Sequence, residues 1–325
     1  MSLFERIIAR PRSLWLTIII SLLILTTPLA IIALDGMWEA IFSLGNWRPL
    51  FMAPAVIVYI LLVSQRMAKG DSDLVKAFRP LLLIDDETFE QLAHKVKHIS
   101  KVGETVALFI GVLLGLGISL TWLTWTTTFW LRIYVPVSLG LMWGILCWLI
   151  YYSFASTKLV TALHRQPLKV DILDTKPFEP VGRNSLVASL VFIGGIALGM
   201  FFSLDVKNIL AWESWAINVP LLCVPVIVFF LNMRHTHRLL AAEKKRELGV
   251  VGQKILRLSA LLRRRLAQEE SLGEIAGEYS ALIAYEARLR AASTWPYNTA
   301  MLRTLFFTIL VPLLVRGASA LLFGQ

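Results

Sequence analysis

The sequence predicts an all-α polytopic membrane protein with seven transmembrane helices: three antiparallel hairpins as parallel repeats, plus one final helix. A cytoplasmic helical hairpin precedes that last span. Three observations carry the prediction. Apolar residues make up 57% of the 325-residue chain, mean hydropathy is +0.68, and charged residues are only 17%, below the roughly 25% of a soluble domain. Seven apolar runs approach the roughly 20 residues needed to cross a 30 Å hydrocarbon core. The basic residues collect on alternate sides of those runs.

The runs are Leu14–Leu34, Leu50–Val63, Thr105–Thr124, Leu131–Phe154, Leu186–Leu204, Ala216–Leu231 and Leu302–Phe323. The first is too long for a signal-peptide core and lacks a small-residue cleavage site, so it reads as a span. The second and sixth need flanking residues to reach full thickness. Of the 32 Lys and Arg, 28 lie before the first run or after the second, fourth and sixth, counting Arg303 at the inner end of the last run. Arg48, Arg132 and Lys207 occupy the opposite loops, and Arg316 lies inside the seventh run. The positive-inside rule then places the N-terminus in the cytoplasm and the C-terminus outside. The outer loops are short and carry Trp38, Trp47, Trp122, Trp125, Trp130, Trp212 and Trp215, an interfacial aromatic belt. Cys147 and Cys223 both fall in apolar runs, which excludes a disulfide framework. The net charge of +10 belongs to the inner face, so its expected partner is anionic membrane lipid on the cytoplasmic side. Base-stacking aromatics are scarce among those charges, which argues against nucleic acid.

The hairpins echo one another. Phe109-Ile110-Gly111 recurs as Phe192-Ile193-Gly194, 83 residues later, and Ala53-Pro54, Val135-Pro136 and Val219-Pro220 stand 82 and 84 apart. In the links, Leu74-Val75-Lys76-Ala77, Pro80-Leu81, Asp85 and Phe89-Glu90 are answered by Leu159-Val160-Thr161-Ala162, Pro167-Leu168, Asp171 and Phe178-Glu179. A joint set at nearly constant offset indicates a triplicated hairpin in one orientation. Gly111-x-x-x-Gly115 and Gly195-x-x-x-Gly199 fit close helix contact, within the chain rather than between subunits, and the prolines are positioned to kink their helices. The chain thus divides into a six-helix transmembrane domain (1–234), a cytoplasmic helical hairpin (235–295) and a final transmembrane helix (296–325).

In the hairpin, Leu248, Val251, Ile255, Leu258 and Leu262 form one apolar stripe, and Leu272, Ile275, Tyr279, Leu282, Glu286 and Leu289 continue the rhythm. Ser271-Leu272-Gly273-Glu274 is a capping box that starts the second helix. The first helix is basic, with Arg263, Arg264 and Arg265 as candidates for lipid or partner binding, and the second is acidic. Two such helices pair, and their narrow stripes suit packing against other subunits as a cytoplasmic anchor. Gly249 and Gly252 are positioned to interrupt the long helix, and Trp295-Pro296 to end the returning one at the inner interface.

Arg316 is the strongly ionised residue well inside a run, a candidate pore-lining position with Thr304 and Thr308 on the same helix. Snorkelling to the headgroups competes with that reading, and so does a last segment lying in the interface. Thr121, Thr124 and Thr128 crowd the outer end of the third run as candidates for an outer vestibule; backbone bonding is the more common fate of such threonines. Glu90, His94 and His98 recur four apart on one helical face, a spacing that could hold Zn²⁺ with His235 or His237. Lys95 and Lys97 beside them favour a solvated face, so no cofactor is expected. Asp86 reads as a helix N-cap, with Asp85, Asp171 and Asp174 in similar settings. The acids Asp35, Glu39, Glu104 and Asp205 stand at the ends of the spans, which speaks against a proton-driven pump or an intramembrane protease. No enzymatic motif is present.

The expected function is a homo-oligomeric channel or ligand-gated pore, its last helix lining the path and its cytoplasmic hairpin holding the subunits together. The alternative is a non-enzymatic sensor or scaffold that binds a cytoplasmic partner or anionic lipid through the basic hairpin. Seven spans, a cytoplasmic N-terminus, short outer loops and an inner anchor before the final span resemble the topology of the insect odorant and gustatory receptor channels. That resemblance, one of topology alone, implies an oligomeric channel.

Overall fold

The computed structural model describes residues 14–43, 47–82, 84–89, 91, 100–122, 128–164, 171–202, 212–268, 271, 273–295, 297 and 299–323. Among them the architecture is all-helical: α1 (Leu14–Asp35), α2 (Trp38–Ser43), α3 (Trp47–Phe78), α4 (Lys101–Trp122), α5 (Phe129–His164), α6 (Glu179–Phe202), α7 (Trp212–Ala267), α8 (Gly273–Ala291) and α9 (Thr299–Phe323). Six of these helices are long and apolar enough to cross a membrane: α1, α3, α4, α5, α6 and α7. In α9 the apolar stretch found among the described residues is shorter, Thr299–Leu314.

Helix ends follow local chemistry. At the end of α1, Gly36 takes φ +66°, a conformation that glycine adopts at little cost. Its N–H donates to Ala33 O and that of Met37 to Ile32 O, both at 3.2 Å, the paired closure of a Schellman motif. The preceding residue then caps a different helix. Asp35 accepts bonds from the Thr128 hydroxyl (2.7 Å) and the Leu131 N–H (3.0 Å), so α1 supplies the missing acceptor at the N-terminus of α5. In the link after α3, Asp85 accepts the Thr88 N–H at 3.1 Å. The expected cap, Asp86, lies inside the first turn instead and pairs with Arg79. The Thr88 bonds hold the exposed Asp85 carboxyl below its usual range.

α3 is the central column, flanked by α1, α5 and α6. Its 32 residues span about 48 Å at 1.5 Å per residue, more than a hydrocarbon core of about 30 Å. Its N-terminal half packs Ala53, Val56 and Ile60 against Leu139, Trp148, Val191 and Phe192. Its C-terminal turns carry Leu74 and Phe78 into a second core, termed the inner core, with Leu82, Phe89, Ile172, Phe178 and Val181. Each fully buried side chain of this size contributes about 1.5–3 kcal/mol. α4 lies along α5, and α9 along α6 through Met301 and Leu305. Both sit at the perimeter, with Phe109, Leu113 and Leu120 of α4 and Phe306, Phe307 and Leu314 of α9 exposed. Such faces suit lipid.

No break separates the sixth apolar run from the basic stretch. α7 is one 56-residue helix and continues through Gly249 and Gly252, contrary to the interruption expected there. Val251, between the two glycines, is buried in the inner core, and that packing outweighs the roughly 1 kcal/mol that each glycine costs a helix.

Candidate functional site: the helical arm and its joint to the bundle

The inner core draws in both helices of the arm. Leu240 and Val251 of α7 and Leu289 of α8 are buried with Phe78 and Phe178, and Leu248, Ile255, Leu282 and Tyr285 pack around them. The apolar stripe read from the sequence is therefore covered at its base by this chain's own links. One position differs. Tyr285 takes the inward place assigned to Glu286, which pairs with Arg290 one turn on. The Tyr285 hydroxyl donates to Glu247 Oε2 at 3.0 Å. That carboxylate, with a smaller contribution from burial and the charge of Asp171, holds the phenol above its usual value.

Polar contacts close the joint. Lys244 Nζ donates to the carbonyls of Arg290 and Ala292, each at 2.7 Å, placing a cation on the C-terminal end of α8, where the helix dipole favours it. His237 stacks on Trp295 at 3.9 Å with rings 9° apart, and its Nδ1 lies 3.2 Å from Thr294 O. Trp295 and Tyr297 continue the stack at 5.3 Å, and Phe229 faces Tyr297. Trp295 is thus an aromatic anchor on this chain's own α7, just before α9 begins.

At the tip of the arm, Arg263, Arg264 and Arg265 are exposed, and Arg265 Nη1 reaches Ser271 O at 3.5 Å. The pore and vestibule candidates fare differently. Thr304 and Thr308 donate to Ala300 O and Thr304 O, at 2.9 and 2.7 Å, so both hydroxyls bond back to their own helix. Thr128 is tied to Asp35. The side chains of Arg316 and Thr121 lie outside the described residues, as do Thr124, Glu90, His94 and His98. Among the described residues no three His, Cys, Asp or Glu side chains form a metal-binding group.

A second set of polar contacts, not anticipated from the sequence, ties the bundle at its inner end. Asp71 of α3 accepts bonds from Tyr152 OH of α5 (2.9 Å) and Asn184 Nδ2 of α6 (3.0 Å). Tyr152 lies 5.7 Å from the ring of Trp148, whose Nε1–H donates to Glu104 Oε1 of α4 at 3.3 Å. Glu104 is only 4% exposed, and its Oε2 has no hydrogen-bond partner among the described residues. The helices are therefore less free of buried acid than their composition suggests. The signal available in the sequence was slight: an acid just where the apolar run of α3 gives way, and another one turn into α4.

No family model matches the chain, no curated protein matches it, and no solved structure matches it.

Proposed function

We propose that the protein is a non-enzymatic membrane sensor or scaffold whose cytoplasmic arm binds an anionic cytoplasmic partner or anionic lipid. The observation that supports this is continuity: α7 runs unbroken from the bundle into the arm, and the arm's base shares one core with the inner ends of α3 and α6. A partner held at Arg263, Arg264 and Arg265 would thus bear on a rigid element joined to the membrane helices. The N-terminus lies in the cytoplasm and the C-terminus outside under this reading, and the three hairpins descend from one repeated unit. The test uses the protein in nanodiscs of neutral lipid, probed with phosphatidylserine vesicles and with an acidic helical peptide. Replacing the three arginines by Gln is expected to abolish association with whichever probe binds. Unchanged association would sink the proposal.

A second reading, the homo-oligomeric channel with α9 lining the path, is favoured by one observation. α9 packs on α6 at the perimeter and leaves Thr304, Phe306 and Val311 exposed for contact with neighbouring subunits. It requires a closed ring of subunits in the mass of the nanodisc particle and an ion flux altered by Arg316→Ala. A monomer without flux removes it.

A further inference from the structure

The face of α7 turned away from the shared core forms a row of its own. Arg246, Val250, Gln253, Arg257, Leu261 and Arg264 follow one another at spacings of three and four, and all six are exposed, so they lie along one side of the helix. The buried Leu240 and Val251 occupy a different side, roughly 100–120° around the helix. The row mixes cations with apolar side chains; Val250 is 52% and Leu261 47% exposed. Between Leu248 and Gln268 there are five basic residues and no acidic one. Near its start is a shallow depression flanked by Lys245, Arg246, Val250 and Gln253. Gly249 also lines it, and an added Cβ there would meet nothing within 4 Å.

We infer that this row is a docking surface for an acidic amphipathic helix of another protein. The inference rests on the arm being the anion-binding element proposed above, and it names the partner's chemistry. Carboxylates at helical spacing would meet Arg257 and Arg264. Apolar side chains between them would cover Val250 and Leu261, and one would seat in the notch over Gly249. Three alternative occupants fit less well. Arg257 lies 26 residues beyond Leu231, the end of the sixth apolar run, or about 39 Å along a helix. Packing of Leu240 and Val251 in one core with Leu74 and Phe78 keeps α7 from folding flat, and the attraction of headgroups fades within a Debye length of about 8 Å. A second copy docking through the same row would oppose cations to cations, since the row has no acids, which repels. Nucleic acid would leave the apolar positions uncovered and would find no aromatic on the row for stacking.

The test places the full chain in nanodiscs of neutral lipid and titrates a fluorescein-labelled helical peptide carrying Glu and Leu at three- and four-residue spacing. Saturable binding is expected, weakened about tenfold or more by R257E/R264E, as loss and reversal of two close charge pairs implies. A peptide with Lys in place of Glu should recover affinity for that double variant alone. Gly249→Leu, which fills the notch without changing charge, should weaken the original peptide several-fold by roughly the cost of one lost apolar contact. Circular dichroism of each variant checks that the exposed substitutions leave the helices intact. An affinity unchanged by R257E/R264E overturns the inference. If phosphatidylserine vesicles bind through these residues and the peptide does not, a membrane is the occupant: this inference falls while the arm remains anion-binding. If neither probe binds the unaltered protein, both readings fall together.

Discussion

The tripeptide Phe-Ile-Gly occurs twice, 83 residues apart, and the two copies meet different surroundings. In α4, Gly111 and Gly115 press on the backbone of α5: a Cβ at Gly111 would come within 2.3 Å of Trp143 O, and one at Gly115 within 2.4 Å of Leu139 O. In α6, the counterpart Gly194 faces a side chain instead. Its Cβ would lie 2.2 Å from the hydroxyl of Tyr59, which donates to Val191 O at 2.9 Å. The α4–α5 seam is backbone against backbone, whereas the α3–α6 seam is a tyrosine laid over glycine. The same local sequence therefore serves two kinds of contact, and what distinguishes them is the neighbouring helix. Backbone cannot yield to an added methyl; the end of a side chain can, at the loss of its hydrogen bond.

The largest effect should come from the rigid seam. Gly111→Ala with Gly115→Ala forces α4 and α5 apart along two turns, and overpacking of about 1–3 kcal/mol per site is expected. Thermal unfolding in detergent should show a drop in Tm well beyond that of Gly194→Ala, Gly117→Ala or Gly199→Ala. An unchanged Tm would mean that the two helices are not in backbone contact.

At the inner end of the α3–α6 seam, polar side chains replace glycine as the tie. Asp71→Asn keeps one acceptor but turns the other oxygen into a donor that faces either Tyr152 OH or Asn184 Nδ2. Leaving a buried donor unpaired costs about 1–3 kcal/mol. The variant should lose stability, and the double variant with Asn184→Asp should recover part of it by restoring the donor–acceptor order. Equal loss in single and double variants would show that the three groups do not act as one network.

How far the sequence foretold these contacts depends on their range. The apolar runs, the basic inner links and the paired helices of the arm are patterns within one segment, and the periodicity of 3.6 or a charge count exposes them. The identity of the group lying over Gly194 is a different matter, since Tyr59 is 132 residues from Val191. Nothing local to Phe192-Ile193-Gly194 distinguishes it from Phe109-Ile110-Gly111. Tertiary packing also decided the course of α7: two glycines three apart read as a break, and buried Val251 between them holds the helix together. Likewise Tyr285 and Glu286 are adjacent candidates for one inward position, and only the placement of Glu247 and the inner core selects the tyrosine. The candidate binding surface was legible as charge at Arg263 to Arg265. The row that starts at Arg246 was not, because an exposed face can be identified only once the buried one is known.

Gly194→Ala sharpens the contrast at smaller magnitude. The new methyl must displace the Tyr59 ring and break its bond to Val191 O, a net cost of about 0.5–1.5 kcal/mol for the hydrogen bond. Tyr59→Phe alone should cost about the same amount. Their combination should then fall short of the sum, because the phenylalanine has no hydroxyl to collide with the methyl. Strict additivity would indicate that the contact at Gly194 is not with the hydroxyl.

The smallest effect is expected at Gly117 and Gly199, which stand one turn or less from the contact glycines and face open space. Alanine there meets no atom within 4 Å and raises helix propensity by up to about 1 kcal/mol. Gly117→Ala and Gly199→Ala should be neutral or slightly stabilising in the same thermal assay. These two positions are decisive for the contrast, since they share helix, depth and residue type with Gly115 and Gly195. A large loss at Gly199 would show that this part of α6 is covered in the membrane by another surface, such as a second copy of the chain. The distinction between the two seams would then have to be redrawn with that neighbour included.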